Sequence, residues 1–481
     1  MSRHAAVAVA IIALAGGNWT AGQVPQAGGP IAASVDTNKE RYAAVARQIW
    51  AFAELGYQEE KSSALLQSTL AGAGFAVTRG VAGMPTAFTA TYGSGTPVIA
   101  IIGEFDALPG LSQAAGEAAR APVAAGGAGH GCGHNLLGTA SAAAAIAVKD
   151  WLAETRRSGT LRYYGAPAEE GGGGKVYMLL AGLFSDVDAV VGWHPSDGNS
   201  ADPSSSLATI AATFRFYGAA AHAAMAPDKG RSALDGVEAF DYMLNLMREH
   251  VPQETRIHYV IKQGGAASNI VPDVAEGDYQ ARHPDMRVLR EIWDRILKAA
   301  EGAALGTGTR VEHQVVTSYW NVLPNETLAA VQHRNLQRVG GVEYTAEEQA
   351  FAEKIRATLI SPAAAPGSQS VVQPLRSGAV APASTDMGDL SWNVPTVQMN
   401  AATFAPGVPA HSWQAVACAG SSIGIKGMLV AAKTMALTLA DLYGDPGLLA
   451  TAKEEFLRRR GGNGFKYTTL APSRPPLDYR K

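Results

Sequence analysis

A thiol and an imidazole stand two residues apart in the run Gly129-His130-Gly131-Cys132-Gly133-His134-Asn135. Thiolate sulfur and imidazole nitrogen both suit a borderline transition ion, and the flanking glycines let the backbone close round one. Taken alone, the pair also admits a buried cysteine beside a hydrogen-bonded histidine. Three further segments add donors. Ala166-Pro167-Ala168-Glu169-Glu170 carries two carboxylates on adjacent residues, whose side chains diverge, so one can ligate a metal while the other faces a substrate as a base. His194 lies in Gly192-Trp193-His194-Pro195, and His411 follows the Pro406-Gly407 turn in Ala410-His411-Ser412-Trp413. A single strand-end histidine is more often structural than a ligand; four such segments at one end of a sheet are not an accident of composition.

Competing motifs fail on order or identity. Gly420-Ser421-Ser422-Ile423-Gly424 matches a nucleophile elbow, but that arrangement needs a histidine after the serine, and the last histidine is His411. Residues 171–175 resemble a phosphate loop, yet Val176 stands where Ser or Thr must bind magnesium. No His-Glu-x-x-His occurs.

The elements that must carry these residues read as alternating strands and helices. Residues 38–70 show helical spacing through Tyr42, Val45, Ile49 and Phe52. Residues 98–102 form a continuous apolar run, the pattern of a strand buried on both faces. Asn135 offers a cap to an Ala-rich helix reaching about Leu152, and strands follow at 161–166 and 189–191. This alternation predicts an α/β fold, a mixed, mostly parallel sheet covered by helices. From about Ser206 the texture changes to strands at 209–217, 257–261, 274–281 and 311–317, with helices at 232–249 and 286–301. That block predicts an inserted α+β unit at 206–322, between catalytic segments 36–205 and 323–445. The second segment reads as helix at 346–359, strand at 394–399 and helix at 421–443. Residues 446–481, with Arg458-Arg459-Arg460 and several prolines, read as a surface tail.

Composition narrows the function class. The chain has 481 residues, 47% hydrophobic and 17% charged, with 39 basic against 42 acidic side chains and a net charge of −3. Without a basic stripe it does not fit a nucleic-acid binder, and its apolar content excludes a disordered chain. Cys132 and Cys418 could form at most one disulfide, and none is expected, because a metal-bound thiolate is protected. A basic start at Arg3-His4, an apolar run to Gly17 and small residues to Gly22 have the order of a secretory signal over residues 1–22. The run is shorter than the ~20 apolar residues that span a bilayer. A periplasmic or secreted chain with no membrane anchor is expected; the alternative is a cytoplasmic chain with a spurious leader.

The motifs in this order resemble the aminoacylase/carboxypeptidase-type co-catalytic metallopeptidases, in the branch where a Cys-x-His loop supplies metal ligands. The resemblance runs over residues 38–445. It rests on Gly103-Glu104-Phe105-Asp106-Ala107-Leu108-Pro109-Gly110, on residues 131–140 and 167–171, on Ala221-His222-Ala223-Ala224, and on residues 230–235, 384–389 and 411–414. It implies Cys132, His134, Glu170, His194 and His411 as ligands of two divalent ions, zinc or manganese with cobalt admitted. Glu169 becomes the general acid/base and Asp106 a carboxylate that orients the site. Asn135 stands where most of the branch has Asp, a feature of its p-aminobenzoyl-glutamate-cleaving group. The implied reaction is hydrolysis of the amide bond of N-acyl, especially N-aroyl, amino acids. Other N-acyl amino acids, dipeptides, or a non-hydrolytic binding module of the same fold are the alternatives. The resemblance also implies a homodimer formed through the inserted unit, and in that group a related A-type partner chain. His222 would reach into the partner's site to hold the carbonyl oxygen, while Asn269 and Arg282 would hold the substrate's carboxylate.

Overall fold

The computed structural model describes residues 29–480; the signal read at residues 1–22 lies outside them. The first part of the chain runs α1 (Gly29–Thr37), α2 (Lys39–Phe52), α3 (Glu60–Gly72), β1 (Ala76–Arg79), β2 (Phe88–Ser94), β3 (Val98–Gly103), α4 (His134–Thr155), β4 (Gly159–Gly165), α5 (Gly174–Leu180) and β5 (Ala189–Ser196). An inserted unit follows: β6 (Ala208–Tyr217), α6 (Ala233–Met247), β7 (Arg256–Gln263), β8 (Val274–His283), α7 (Met286–Thr307) and β9 (Arg310–Tyr319). The chain then returns through α8 (Glu326–Val339), α9 (Ala346–Arg356), α10 (Met387–Ser391), β10 (Thr396–Ala402), α11 (Trp413–Ala419), α12 (Ser422–Gly444) and α13 (Pro446–Arg460).

Two sheets organise these elements. The first has the order β1-β2-β4-β3-β5-β10, in which β4, β3, β5 and β10 are parallel, β2 pairs antiparallel with β4, and β1 pairs antiparallel with β2. All six residues of β3 are buried, as expected of a strand covered on both faces. The small residues Ala142, Ala143, Ala144, Ala145 and Ala147 of α4 are buried in the same core as α12, so both helices come close to the sheet. Both are long and apolar enough to cross a membrane, yet most of that surface is buried within the fold. The mostly parallel sheet agrees with the sequence pattern.

The second sheet is antiparallel, in the order β7-β8-β6-β9. Burial alternates residue by residue along β8, and Ala275, Tyr279 and Ala281 pack with Phe214, Phe240 and Trp293 under α6 and α7. Ser232 caps α6 through the Asp235 amide and Asp285 caps α7 through the Arg287 amide.

Three sequence expectations need correction, and two strands stand outside them. The helix expected at 38–70 is two helices, broken where Ala53 and Tyr57 adopt left-handed backbone (φ 44° and 63°), with the Glu54 carboxylate accepting from the first amides of α3. Asn135 is not a cap: α4 starts at His134 with Gly133 before it, and the Asn135 amide instead donates to the Ala46 and Ala419 carbonyls. β1 and β2 have no counterpart in the sequence expectations; β1 is only four residues long and largely exposed. Residues 446–481 are not simply a surface tail. Residues 446–460 form α13, and the rest runs across the molecule to the loop that carries Glu169 and Glu170.

Candidate metal centre

The four chemistry-bearing segments all leave the carboxyl ends of β3, β4, β5 and β10, where α/β sheets build sites. After β3 the chain makes a long excursion, closed by mutual backbone hydrogen bonds between Leu108 and Gly129 (2.9 and 3.0 Å), and then delivers Cys132 and His134. Gly133 is required between them. Its φ is +73°, and an added Cβ would lie 2.8 Å from Pro195.

Cys132 lies at the junction of two donor triplets. One atom each from Cys132, His134 and His194 lies within 4.8 Å of the others, and the same holds for Cys132, Glu170 and His411. The Cys132 sulfur is 3.3 Å from His194 Nε2, whose ring is fixed by Nδ1 donating to the Pro195 carbonyl at 2.7 Å. His411 Nε2 is 3.1 Å from Glu170 Oε1. His134 Nδ1 is 2.8 Å from Asp106 Oδ1, and Asp106 Oδ2 accepts the Glu170 amide at 3.0 Å. Asp106 therefore ties the Cys-x-His loop to the double-glutamate loop. A third triplet joins His134 to Glu104 and Glu169.

Electrostatics and unmet hydrogen bonding both fit a bound cation. Burial, and then the charge of Glu170, push the Cys132 thiol well above its ordinary range, so a thiolate here needs a positive charge beside it. His134 Nε2 is buried 3.3 Å from Glu104 Oε2, and neither atom makes a well-formed hydrogen bond among the described residues. Burial, Glu104 and Glu170 raise the Glu169 carboxyl well above the usual carboxylate range. Burial opposes ionisation of Asp106 too, but His134 outweighs it and holds that carboxyl low. The site opens into a cavity of about 430 Å³ whose walls include Cys132, Glu169, Glu170, His194 and His411, room for a small ligand.

The structure thus brings together Cys132, His134, Glu169, Glu170, His194, His411 and Asp106. It does not bring His222, Asn269 or Arg282 to that cavity. His222 is exposed on the inserted unit. Its Nδ1 accepts from the Ala224 and Met225 amides (3.2 and 3.1 Å), which leaves Nε2 to carry the proton. The Asn269 carbonyl accepts the Ala223 amide at 3.0 Å, so the two turns face each other. Arg282 donates to Gln280 and lines a separate cavity of about 600 Å³ with Arg256 and His258. Val380 and Pro382 face that cavity, while Ala381 and Ala383 face the metal centre's.

Sequence reasoning missed several supporting groups. Lys175 is fully buried, with its ammonium 2.8 Å from Glu104 and 2.5 Å from Asp386, compensating carboxylates beside Glu169. Glu59, also fully buried, accepts the Ala168 amide at 2.8 Å and holds that residue in left-handed backbone (φ 55°) just before Glu169. The one sequence signal for Lys175 is its place in the Gly-rich stretch that fails as a phosphate loop.

The family model described as Peptidase family M20/M25/M40 matches residues 100–416. The chain belongs to this family. It is 45% identical over 447 residues to the B-type chain of p-aminobenzoyl-glutamate hydrolase from Escherichia coli (strain K12), covering 88% of this chain and 93% of that one. It is 31% identical to an Xaa-Arg dipeptidase of Mus musculus, over 88% and 90% of the two chains. Among solved M20-like folds, an aminobenzoyl-glutamate utilization protein from Klebsiella pneumoniae superposes with a TM-score of 0.62 at 17% identity, covering 86% of this chain and 98% of that one. A dinuclear metal-binding M20 peptidase from Bacillus subtilis gives 0.58 at 16% identity, covering 85% and 99%. This M20 chain is a hydrolase of the metallopeptidase and amidohydrolase type.

Proposed function

We propose that this chain hydrolyses the amide bond of N-aroyl amino acids such as p-aminobenzoyl-glutamate, using two metal ions held by Cys132, His134, Glu170, His194 and His411. The observation that carries the reading is the sharing of Cys132 by two donor triplets, with Glu169 beside them on the wall of the same cavity. When bound, two divalent ions would polarise the scissile carbonyl and acidify the attacking water. Glu169 takes that water's proton and hands it to the leaving amine, a task suited to a carboxyl whose pKa burial has raised. Asp106 orients His134. The thiolate and imidazoles favour zinc, whereas the carboxylate admits manganese or cobalt.

The substrate is supported by the E. coli relative's name and by the 45% identity. The dipeptidase relatives define the competing substrate class. A panel of p-aminobenzoyl-glutamate, other N-acyl amino acids and Xaa-Arg dipeptides, offered to protein loaded with zinc, manganese or cobalt, separates them. Equal release of aromatic acid and glutamate, faster than from any dipeptide, is expected; preference for the dipeptides would reassign the substrate.

The inserted unit supports a homodimer. β7 is an edge strand with exposed Val260 and Ile261, and α6 exposes Tyr242, Met243 and Leu246. Unpaired apolar edges are what a second copy would cover. In this dimer His222 serves the partner's site, and Asn269 and Arg282 hold the substrate carboxylate, Arg by its bidentate fork. The chain is also similar to the A-type chain of the E. coli hydrolase, at 28% identity over 223 residues, which favours a related A-type chain as a further partner. Export rests on the leader-like residues 1–22. Sequencing the N-terminus of the mature protein should begin near residue 23; a start at Ser2 in active protein would return the chain to the cytoplasm.

A further inference from the structure

After α13 the chain runs without regular structure from residue 461 to 480, and nearly every stretch of it is anchored. Phe465 packs on Trp320 and Trp392, with ring centroids 5.6 and 5.1 Å away. The Tyr467 hydroxyl donates to Asp389 at 2.6 Å. The Thr468 carbonyl accepts from Trp320 Nε1 at 2.8 Å and from Arg290 of α7 at 2.6 Å. Further on, the Leu470 amide reaches Ser318 of β9. The segment therefore straps the inserted unit to the sheet domain.

Its end meets the double-glutamate loop. The Tyr479 hydroxyl donates to the Glu170 carbonyl at 3.2 Å, and Arg480 donates to the same oxygen at 2.7 Å. Tyr479 stacks edge-on against Tyr57 and lies so close to Gly56 that a Cβ there would come within 2.2 Å of its hydroxyl. The next two carbonyls of the loop are held from elsewhere. Gly171 accepts from Thr317 of β9 at 3.2 Å and Gly172 from the Tyr57 hydroxyl at 2.7 Å. Three successive carbonyls are thus held by three distant parts of the chain. The strap takes the residue that also supplies the carboxylate facing Cys132 and His411.

We propose that Tyr479 and Arg480 are positioning residues that fix Glu170, and with it Glu169, and that the strap links this loop to the inserted unit. The proposal rests on Glu170 being a metal ligand. A backbone held by two donors lets its side chain keep one orientation, and such supporting contacts are worth about 10–100-fold in metal affinity or activity. The test uses the full-length, metal-loaded protein carrying Tyr479→Phe with Arg480→Ala, and, separately, Arg480→Lys. Exposed Arg474, on the same strap, is changed to Ala as a control.

Three quantities are read: metal retained against a graded chelator, kcat and KM separately, and Tm. The double variant should surrender metal at roughly tenfold lower chelator and lose roughly tenfold in kcat, with KM shifted less. Arg480→Lys should recover most of both, and Arg474→Ala should match the parent. Metal retention and kcat within twofold of the parent would overturn the proposal. So would a drop in Tm alone, with retention unchanged well below the transition, because that is packing and not positioning. Metal retention needs no substrate, so an error in the substrate leaves the test intact. A parent that binds no metal refutes the metal centre, and the strap's role at it.

Discussion

Glu169→Gln is expected to lower kcat by about 10²–10⁴-fold, the usual worth of a positioned acid/base, while the protein keeps its metal and its fold. Glutamine keeps the size and one acceptor of glutamate but cannot take a proton. Among the described residues Glu169 has no ion-pair partner, and its neighbours Glu104, Glu170, Lys175 and Asp386 act on it through charge. Removing its charge should therefore relieve repulsion and leave Tm unchanged or raised. Metal analysis beside steady-state rates checks the split. Activity close to the parent's would remove Glu169 from the chemistry; loss of metal together with activity would make it a ligand.

His222→Ala is expected to cost about 10²–10³-fold in kcat, the worth of one oxyanion donor, with metal and dimer intact. The effect is large for a side chain that is exposed and absent from its own chain's metal cavity. It follows only if Nε2, protonated because Nδ1 accepts two backbone amides, is delivered to a second copy. Mixing His222→Ala with Glu169→Gln provides the decisive arm. In a two-fold dimer, hybrids carry one site with both residues intact, so equal mixing should restore about a quarter of parent activity. No restoration, with exchange of protomers confirmed by mass, would mean each chain works alone.

What could be read from the sequence divides by range. Glu169, Glu170 and His194 lie at or just after strand ends, and Cys132, His134 and His411 in loops that follow a strand and lead into a helix; both can be read from local periodicity. A parallel sheet then gathers them at one edge, as the structure shows. The α+β texture of 206–322 is equally local, since β8 alternates and α7 repeats at helical spacing. Glu59, Lys175 and Asp386 are not legible, because their roles come from burial against partners far along the chain. The break between α2 and α3 depends on left-handed backbone at Ala53 and Tyr57, two residue types that do not advertise it. The strap is hidden for a third reason. A segment with several prolines and no periodicity reads as a tail, and only tertiary contacts show Tyr479 and Arg480 at the Glu170 carbonyl.

We place two metal ions at one centre built round Cys132. The most direct test is to strip the purified chain with a chelator, titrate zinc or manganese back, and follow bound metal and p-aminobenzoyl-glutamate hydrolysis together. About two ions per chain are expected, with no hydrolysis before metal is added and full rate only as the second ion binds. Cys132→Ser should weaken both sites together, because the sulfur belongs to both triplets. Hydrolysis by the stripped chain, or full activity with one ion and the second site empty, would contradict a two-metal centre.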